Sequence, residues 1–325
     1  MDSFYDLTPE TVMTGIEQAG LIPTGEYTQL NSYENRVFDI RLESEGNPEN
    51  LNGRVIAKFY RPGRWDEATI QEEHDFQMDL RDSGLPVVAP LKQANGKTIS
   101  SCQGMYLGLF PKAVGRMPQE LWLNDYEKIG RTLARLHNVG ELRPAQHRPK
   151  LHPEVMGWPS LRILEKWAAP EVWSRYERAA VDILEWLEEA LEDVNYQRIH
   201  GDCHKGNLLL KQVREEPEEF FLVDFDDFCM GPAVQDFWML FSGDHETLNE
   251  EEQAILSGYE ELRNFDDREL DLIPGLRGLR IIHYAAWIAR RWEDPSFPRL
   301  FPTFREYNYW AEEVEALERI AWALK

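Results

Sequence analysis

Two stretches carry the reading of this chain: His200-Gly201-Asp202-Cys203-His204-Lys205-Gly206-Asn207, and Val223-Asp224-Phe225-Asp226-Asp227. The first places an acid five residues before an amide, in a loop that leads into a strand. The second ends the next strand on an acid. Phosphoryl transfer uses this layout, with one carboxylate to orient or deprotonate the attacking hydroxyl and an Asn and an Asp to hold Mg²⁺ against nucleotide phosphates. Mg²⁺ takes hard oxygen donors, which these side chains offer. Asp202 is therefore expected to be the base. Asn207 and Asp224 are the expected metal ligands, and Asp224 thereby counts with Asp202 as catalytic. Acids and amides also serve as turn residues and strand caps, and an HxD triplet alone would read that way. The fixed offset to Asn207, the hairpin and the strand-terminal acid, in that order, favour phosphoryl transfer.

Upstream, Arg54-Val55-Ile56-Ala57-Lys58-Phe59-Tyr60 is an apolar strand with a lysine late in it. A helix is expected over 66–82, with Asp66 as N-cap and Gly84 as stop. Its apolar stripe runs Ile70, Glu73, Phe76, Leu80. The spacing puts Glu73 on the inner face, where an acid requires a positive partner. Lys58 and Glu73 fit the ion pair that holds a lysine against the α and β phosphates of a nucleotide. The plainer reading of Lys58 is an edge-strand lysine with its stem along apolar surface. Between the first two strands stands Leu30-Asn31-Ser32-Tyr33-Glu34-Asn35-Arg36-Val37, without a glycine. Asn and Ser turn tightly and offer donors to a phosphate, which makes Ser32 the candidate nucleotide contact.

The first hundred residues otherwise read as strands, at 26–31, 36–42, 53–60 and 104–110. After Gly115 the texture becomes helical, with periodic apolar residues at Tyr126, Ile129, Leu133 and Leu136, and from Val172 to Ala190. Strand-like runs at 207–211 and 219–225 interrupt it, joined by the acidic segment QVREEPEE. Helical patterns resume over 233–242, 250–263, 278–293 and 304–324. The expected architecture is α+β and bilobal: a small β-rich N-lobe over 1–111 with one key helix, a hinge at 112–116, and a larger, mainly helical C-lobe over 117–325. Ligands commonly bind in clefts between such lobes.

The 325 residues carry a net charge of -23, with 42% hydrophobic and 12% aromatic residues. Such a chain is globular rather than disordered. Its acidity repels phosphate backbones and anionic lipid, so neither nucleic acid nor a membrane is an expected partner. Cys102, Cys203 and Cys229 lack CxxC spacing, which argues against a zinc site and a disulfide framework. His200 and His204 flank Asp202 without a matching ligand set and are expected to position the loop. The amino terminus shows no secretory pattern, and a cytoplasmic location is expected.

HGDCHKGN with VDFDD, the LARLH helix and GPAVQDFW resemble the aminoglycoside phosphotransferase and choline kinase-like branch of the protein-kinase-like fold. LNSYENRV, VIAKFYRPGRW, EEH and RRWEDPSFP narrow the resemblance to the bacterial stress-response kinase family. The match extends from about residue 8 to beyond residue 310. It implies that Asp202 is the proton acceptor, Asn207 and Asp224 are the magnesium ligands, and Ser32 touches the nucleotide. It further implies a monomeric cytoplasmic enzyme that uses ATP and Mg²⁺ to phosphorylate Ser/Thr on proteins and counters stress-induced death. Lys205, inside the loop, would either neutralise the γ-phosphate or point to solvent. A rival reading is a small-molecule kinase of the aminoglycoside, choline or homoserine type, since an acidic helical lobe suits a cationic hydroxyl acceptor. A non-catalytic nucleotide-binding scaffold would be expected to lack one of these chemical groups, yet Lys58, Glu73, Asp202, Asn207 and Asp224 are all present.

Overall fold

The computed structural model describes residues 7–113, 115–211, 219–241 and 248–325. Most of the expected QVREEPEE turn, and one residue of the expected hinge, lie outside these. The described chain forms two compact units, one of residues 7–113, 115–148, 204–211, 219–228 and 248–263, the other of 149–203, 229–241 and 264–325. This division differs from the lobes expected at 111–117. The helix after the expected hinge and the hairpin after Asn207 belong with the β-rich part, because that is where their buried surfaces pack.

The first unit is built on a five-stranded antiparallel sheet of β1 (Pro23–Leu30), β2 (Arg36–Leu42), β3 (Arg54–Phe59), β4 (Ile99–Cys102) and β5 (Met105–Pro111), in the order β1-β2-β3-β5-β4. Helix α1 (Pro9–Gln18), capped by Thr8, buries Val12 and Ile16 against it, together with Phe38, Ile40, Val55, Ala57, Leu107 and Leu109. Neither α1 nor β4 was expected. Each is short, and its apolar signal is complete only when the sheet supplies the other wall. Helix α2 (Glu67–Asp82) begins where expected: Asp66 accepts from the Thr69 N–H at 2.8 Å. Helices α3 (Leu123–Glu141) and α7 (Glu250–Glu260) cross closely at two glycines. A Cβ on Gly130 would lie 2.0 Å from the Ile255 carbonyl oxygen, and one on Gly258 would lie 2.1 Å from that of Glu127. Alanine at either position would therefore force the helices apart.

In the second unit, α4 (Trp158–Leu164), α5 (Pro170–Ala190), α8 (Ile273–Arg290) and α10 (Tyr307–Ala323) surround one apolar core, with the short helices α6 (Gln235–Trp238) and α9 (Ser296–Leu300) at its margin. Burying large side chains such as Tyr176, Phe297, Phe304 and Trp310 drives this assembly. The two-stranded pair β6 (Gln197–Ile199) and β9 (Cys229–Gly231) runs antiparallel beside it. The hairpin β7 (Leu208–Lys211) and β8 (Glu219–Leu222) belongs to the first unit. Among the described residues, no helix is long and apolar enough to cross a membrane.

Glu313, on α10, has a buried Oε2 without a hydrogen-bond partner. Burial, reinforced by the neighbouring charge of Glu312, raises its pKa from an ordinary 4.5 to about 7. A carboxyl raised in the folded state lends its full stability below the unfolded value and loses it as pH climbs through the folded one. Wild-type stability should therefore fall between pH 4.5 and 7 relative to Glu313→Gln. Urea denaturation of both proteins at a series of pH values measures this, and parallel pH profiles would refute it.

Candidate active site

In the first unit, Lys58 sits on β3 opposite Val37 of β2 and Gly108 of β5. Its Nζ lies 3.0 Å from Glu73 Oε1 on α2, 2.9 Å from Asp226 Oδ1 and 4.0 Å from Asp224 Oδ1. Burial by itself lowers the pKa of Lys58, but the charges of Asp226 and Glu73 outweigh this and raise it well above the ordinary value. Glu73 is wholly buried, and burial raises its pKa in spite of Lys58. Asp226 is buried as well, yet Arg64 and Lys58 hold its carboxyl far below the usual range. Lys58 thus lies between two carboxylates, and Asp226 is firmly ionised. Tyr60, under the Lys58 ammonium, bonds His74 Nε2 at 2.8 Å, and His74 Nδ1 meets Thr98 Oγ1 at 2.9 Å. Burial, followed by the Lys58 charge, lowers His74 to about 3, so this ring is neutral.

The turn after β8 is clamped from several sides. Arg64 binds the Asp226 and Asp227 carboxylates. Arg148 donates to the carbonyls of Phe228 at 2.7 Å and Asp226 at 2.5 Å. Arg148 is itself placed by Glu72, whose two oxygens accept the N–H groups of Gln146, His147 and Arg148 at 2.6, 2.7 and 3.0 Å. Within this turn Asp224 adopts a left-handed conformation, φ 62°, uncommon for a residue with a side chain. The conformation leaves its carboxylate 59% exposed, in contrast to the buried Asp226. Asn207, in the turn entering β7, accepts the Val223 N–H at 3.1 Å on its carbonyl, and Leu208 pairs with Leu222. The hairpin therefore brings Asn207 beside the residue that precedes Asp224. An exposed carboxylate and an amide on adjoining strand ends are hard oxygen donors that fit Mg²⁺.

Ser32 Oγ accepts the Asn35 N–H at 3.3 Å, so the hydroxyl closes its own turn. Arg61 pins that turn through the carbonyls of Glu34 and Tyr33 at 3.0 and 3.2 Å. Lys205 bonds the Tyr126 hydroxyl of α3 at 3.1 Å, and His204 Nδ1 accepts the Gly206 N–H at 3.0 Å.

In the second unit, Asp202 follows β6. The wholly buried Asp236 accepts the His200 and Gly201 N–H groups at 2.7 and 2.8 Å, and Gln235 donates to the Gly201 carbonyl at 3.0 Å. Gly201 has φ 82°, which a glycine adopts without strain. His200 Nδ1 accepts the Asp202 N–H at 3.4 Å. Asp202 Oδ1 receives a hydrogen bond from Arg280 of α8 at 2.8 Å. Asp236, Arg280, Arg64, Arg148 and Asp226 were not singled out in the sequence. The available hint was that Asp226, Asp236 and Arg64 fall inside the quoted motifs VDFDD, GPAVQDFW and RPGRW.

The pattern of the phosphotransferase enzyme family matches residues 26–273. The serine/threonine protein kinase RdoA of Salmonella typhimurium is 36% identical over 315 residues, 96% of this chain and 92% of that protein. Stress response kinase A of Escherichia coli K12 is 36% identical over 319 residues, with the same shares covered. Among solved structures, amicoumacin kinase hAmiN in complex with AMP-PNP, Ca²⁺ and Ami superposes with a TM-score of 0.72 at 18% identity, covering 95% of this chain and 93% of that one. A microcompartment-associated aminopropanol kinase superposes with a TM-score of 0.72 at 20% identity, covering 98% of both chains. These two likenesses establish the bilobal kinase-like fold. Matched by the family pattern over most of its length and by kinase relatives over nearly their full length, the chain is a kinase of the phosphotransferase enzyme family, in its stress response kinase A branch.

Proposed function

We propose that this kinase uses ATP and Mg²⁺ to phosphorylate serine or threonine hydroxyls on proteins, as a cytoplasmic monomer acting in a bacterial stress response. The observation that carries the nucleotide half is Lys58, held 3.0 Å from Glu73 beside the left-handed turn that exposes Asp224. The protein half is supported by the full-length kinship with a serine/threonine protein kinase. Lys58 steadies the α and β phosphates, and Ser32 touches the nucleotide from the turn after β1. Asn207 and Asp224 hold Mg²⁺. When bound, the ion neutralises charge on the β and γ phosphate oxygens. Asp202 accepts the proton of the attacking hydroxyl as the new O–P bond forms and the bond to the leaving ADP oxygen breaks. Asp236 keeps the Asp202 loop in place by holding two of its N–H groups. The functional division is N-lobe 1–111, hinge 112–116 and C-lobe 117–325.

The rival acceptor class, a cationic small molecule with a hydroxyl, draws support from the net charge of -23. Transfer of radiolabelled γ-phosphate from ATP with Mg²⁺ decides between them, with a general protein acceptor and an amino alcohol assayed side by side. Label on protein supports the reading. Label on the amino alcohol alone replaces it with a small-molecule kinase.

A further inference from the structure

Helix α8 buries Leu276, Leu279, Ile282, Ala285, Ala286 and Ala289 in the core of the second unit. Its opposite stripe carries Arg277, Arg280, Tyr284 and Trp287, at spacings of three and four that align them on one face, with Trp287 also resting on Phe297 and Arg291 just past the helix end. Arg277 lies over the Trp238 ring, 5.8 Å from its centroid. Tyr284 and Trp287 stack at 13° between ring planes, and Arg291 lies 5.0 Å from the Trp287 centroid. In a chain with a net charge of -23, this is a run of cations on flat aromatic surface, and Asp202 lies at one of them.

Stability does not account for the Arg280–Asp202 pair. Their side chains are 40% and 22% exposed, and partly exposed ion pairs contribute little to folding. Proton abstraction does not account for it either, because a guanidinium on the carboxylate competes with the acceptor hydroxyl for the same oxygens. What the arrangement does supply is a planar fork beside the base. The described hydrogen bond to Asp202 uses Nη1 alone, whereas a guanidinium has five N–H donors and suits bidentate binding of a carboxylate. The same positive charge repels an ammonium group brought close to Asp202.

Resting on the protein-kinase reading above, we propose that Arg280, with Arg277 one turn before it, forms an acidic-residue subsite beside Asp202. The occupant is an extended segment of a protein substrate in which an Asp or Glu lies within two residues of the acceptor Ser or Thr. Tyr284 and Trp287 continue the surface along which that segment lies. Occupation of the fork by the substrate carboxylate draws Arg280 off Asp202, so the base is released when an acidic-flanked acceptor arrives.

Three otherwise identical peptides, with the single serine flanked by Asp, Gln or Lys, test this with the intact enzyme, Arg280→Gln and Arg280→Glu. The wild type should favour the Asp peptide over the Gln peptide by about tenfold in kcat/KM, the scale of one charge-assisted hydrogen bond. Arg280→Gln should erase the preference, raising KM for the Asp peptide and raising kcat for the Gln and Lys peptides, with KM for ATP unmoved. Arg280→Glu should shift the preference toward the Lys peptide. A purely structural role for Arg280 would scale all three peptides equally, and that result, or a wild-type preference for Lys, overturns the subsite. No label on any peptide also overturns it. If the same enzyme then labels a general protein acceptor, the protein-kinase reading stands without the subsite. Label on an amino alcohol alone removes both.

Discussion

Asp202→Asn is expected to lower phosphate transfer by about 10³-fold, the range contributed by a positioned general base, while ATP still binds. The substitution preserves shape, and an amide oxygen still accepts from Arg280, so the 2.8 Å contact survives. The loop is held independently, by Asp236 on the N–H groups of His200 and Gly201. What is lost is the capacity to take a proton. Transfer is read with labelled ATP, and binding is read as the shift in thermal midpoint caused by ATP with Mg²⁺. A variant that keeps more than about a tenth of wild-type turnover would show that the hydroxyl loses its proton elsewhere.

Asp226→Ala is expected to cost about 3–5 kcal/mol of folding stability, the usual effect of removing one partner from a buried ion pair. Asp226 faces Lys58 at 2.9 Å and also binds Arg64, so alanine leaves a buried lysine with Glu73 and a guanidinium short of its main partner. Arg64 and Lys58 depress the folded-state pKa of Asp226, so its contribution is present above the unfolded value near 3.9 and is lost only as pH falls below that. The penalty should therefore be the same at pH 6 and pH 8, unlike the effect of Glu313. Urea denaturation at both values measures it. A loss below about 1 kcal/mol would mean that the cluster relaxes around the missing charge, as exposed pairs do.

Several features were readable one residue after another. The α2 stripe places Glu73 inward because 3.6 residues make a turn, and a buried acid implies a cation, which the structure supplies as Lys58 at 3.0 Å. Strand β2 lies at the residues expected from its run of β-branched and aromatic side chains, and Asp66 caps α2. The hairpin that seats Asn207 beside Val223 follows from two apolar runs with a short polar connection. In each case the decisive interaction is local in sequence, or is demanded by the side chain itself.

Other features became visible only once the chain was folded. Arg64 and Asp226 are 162 residues apart, Arg280 and Asp202 are 78 apart, and Glu72 reaches backbone more than 70 residues away. An arginine or aspartate on a surface stripe looks the same whether it meets water or a remote partner, because periodicity records which face is apolar and not what a polar face touches. The short strands β6 and β9 have no meaning apart, and α3 departs from the expected lobe boundary because its crossing with α7 decides where it packs. The inward Glu73 and the seating of Asn207 beside Val223 were therefore legible from spacing alone. The clamp on the Asp226 turn and the guanidinium on Asp202 arise from contacts between distant segments, which chain order does not encode locally.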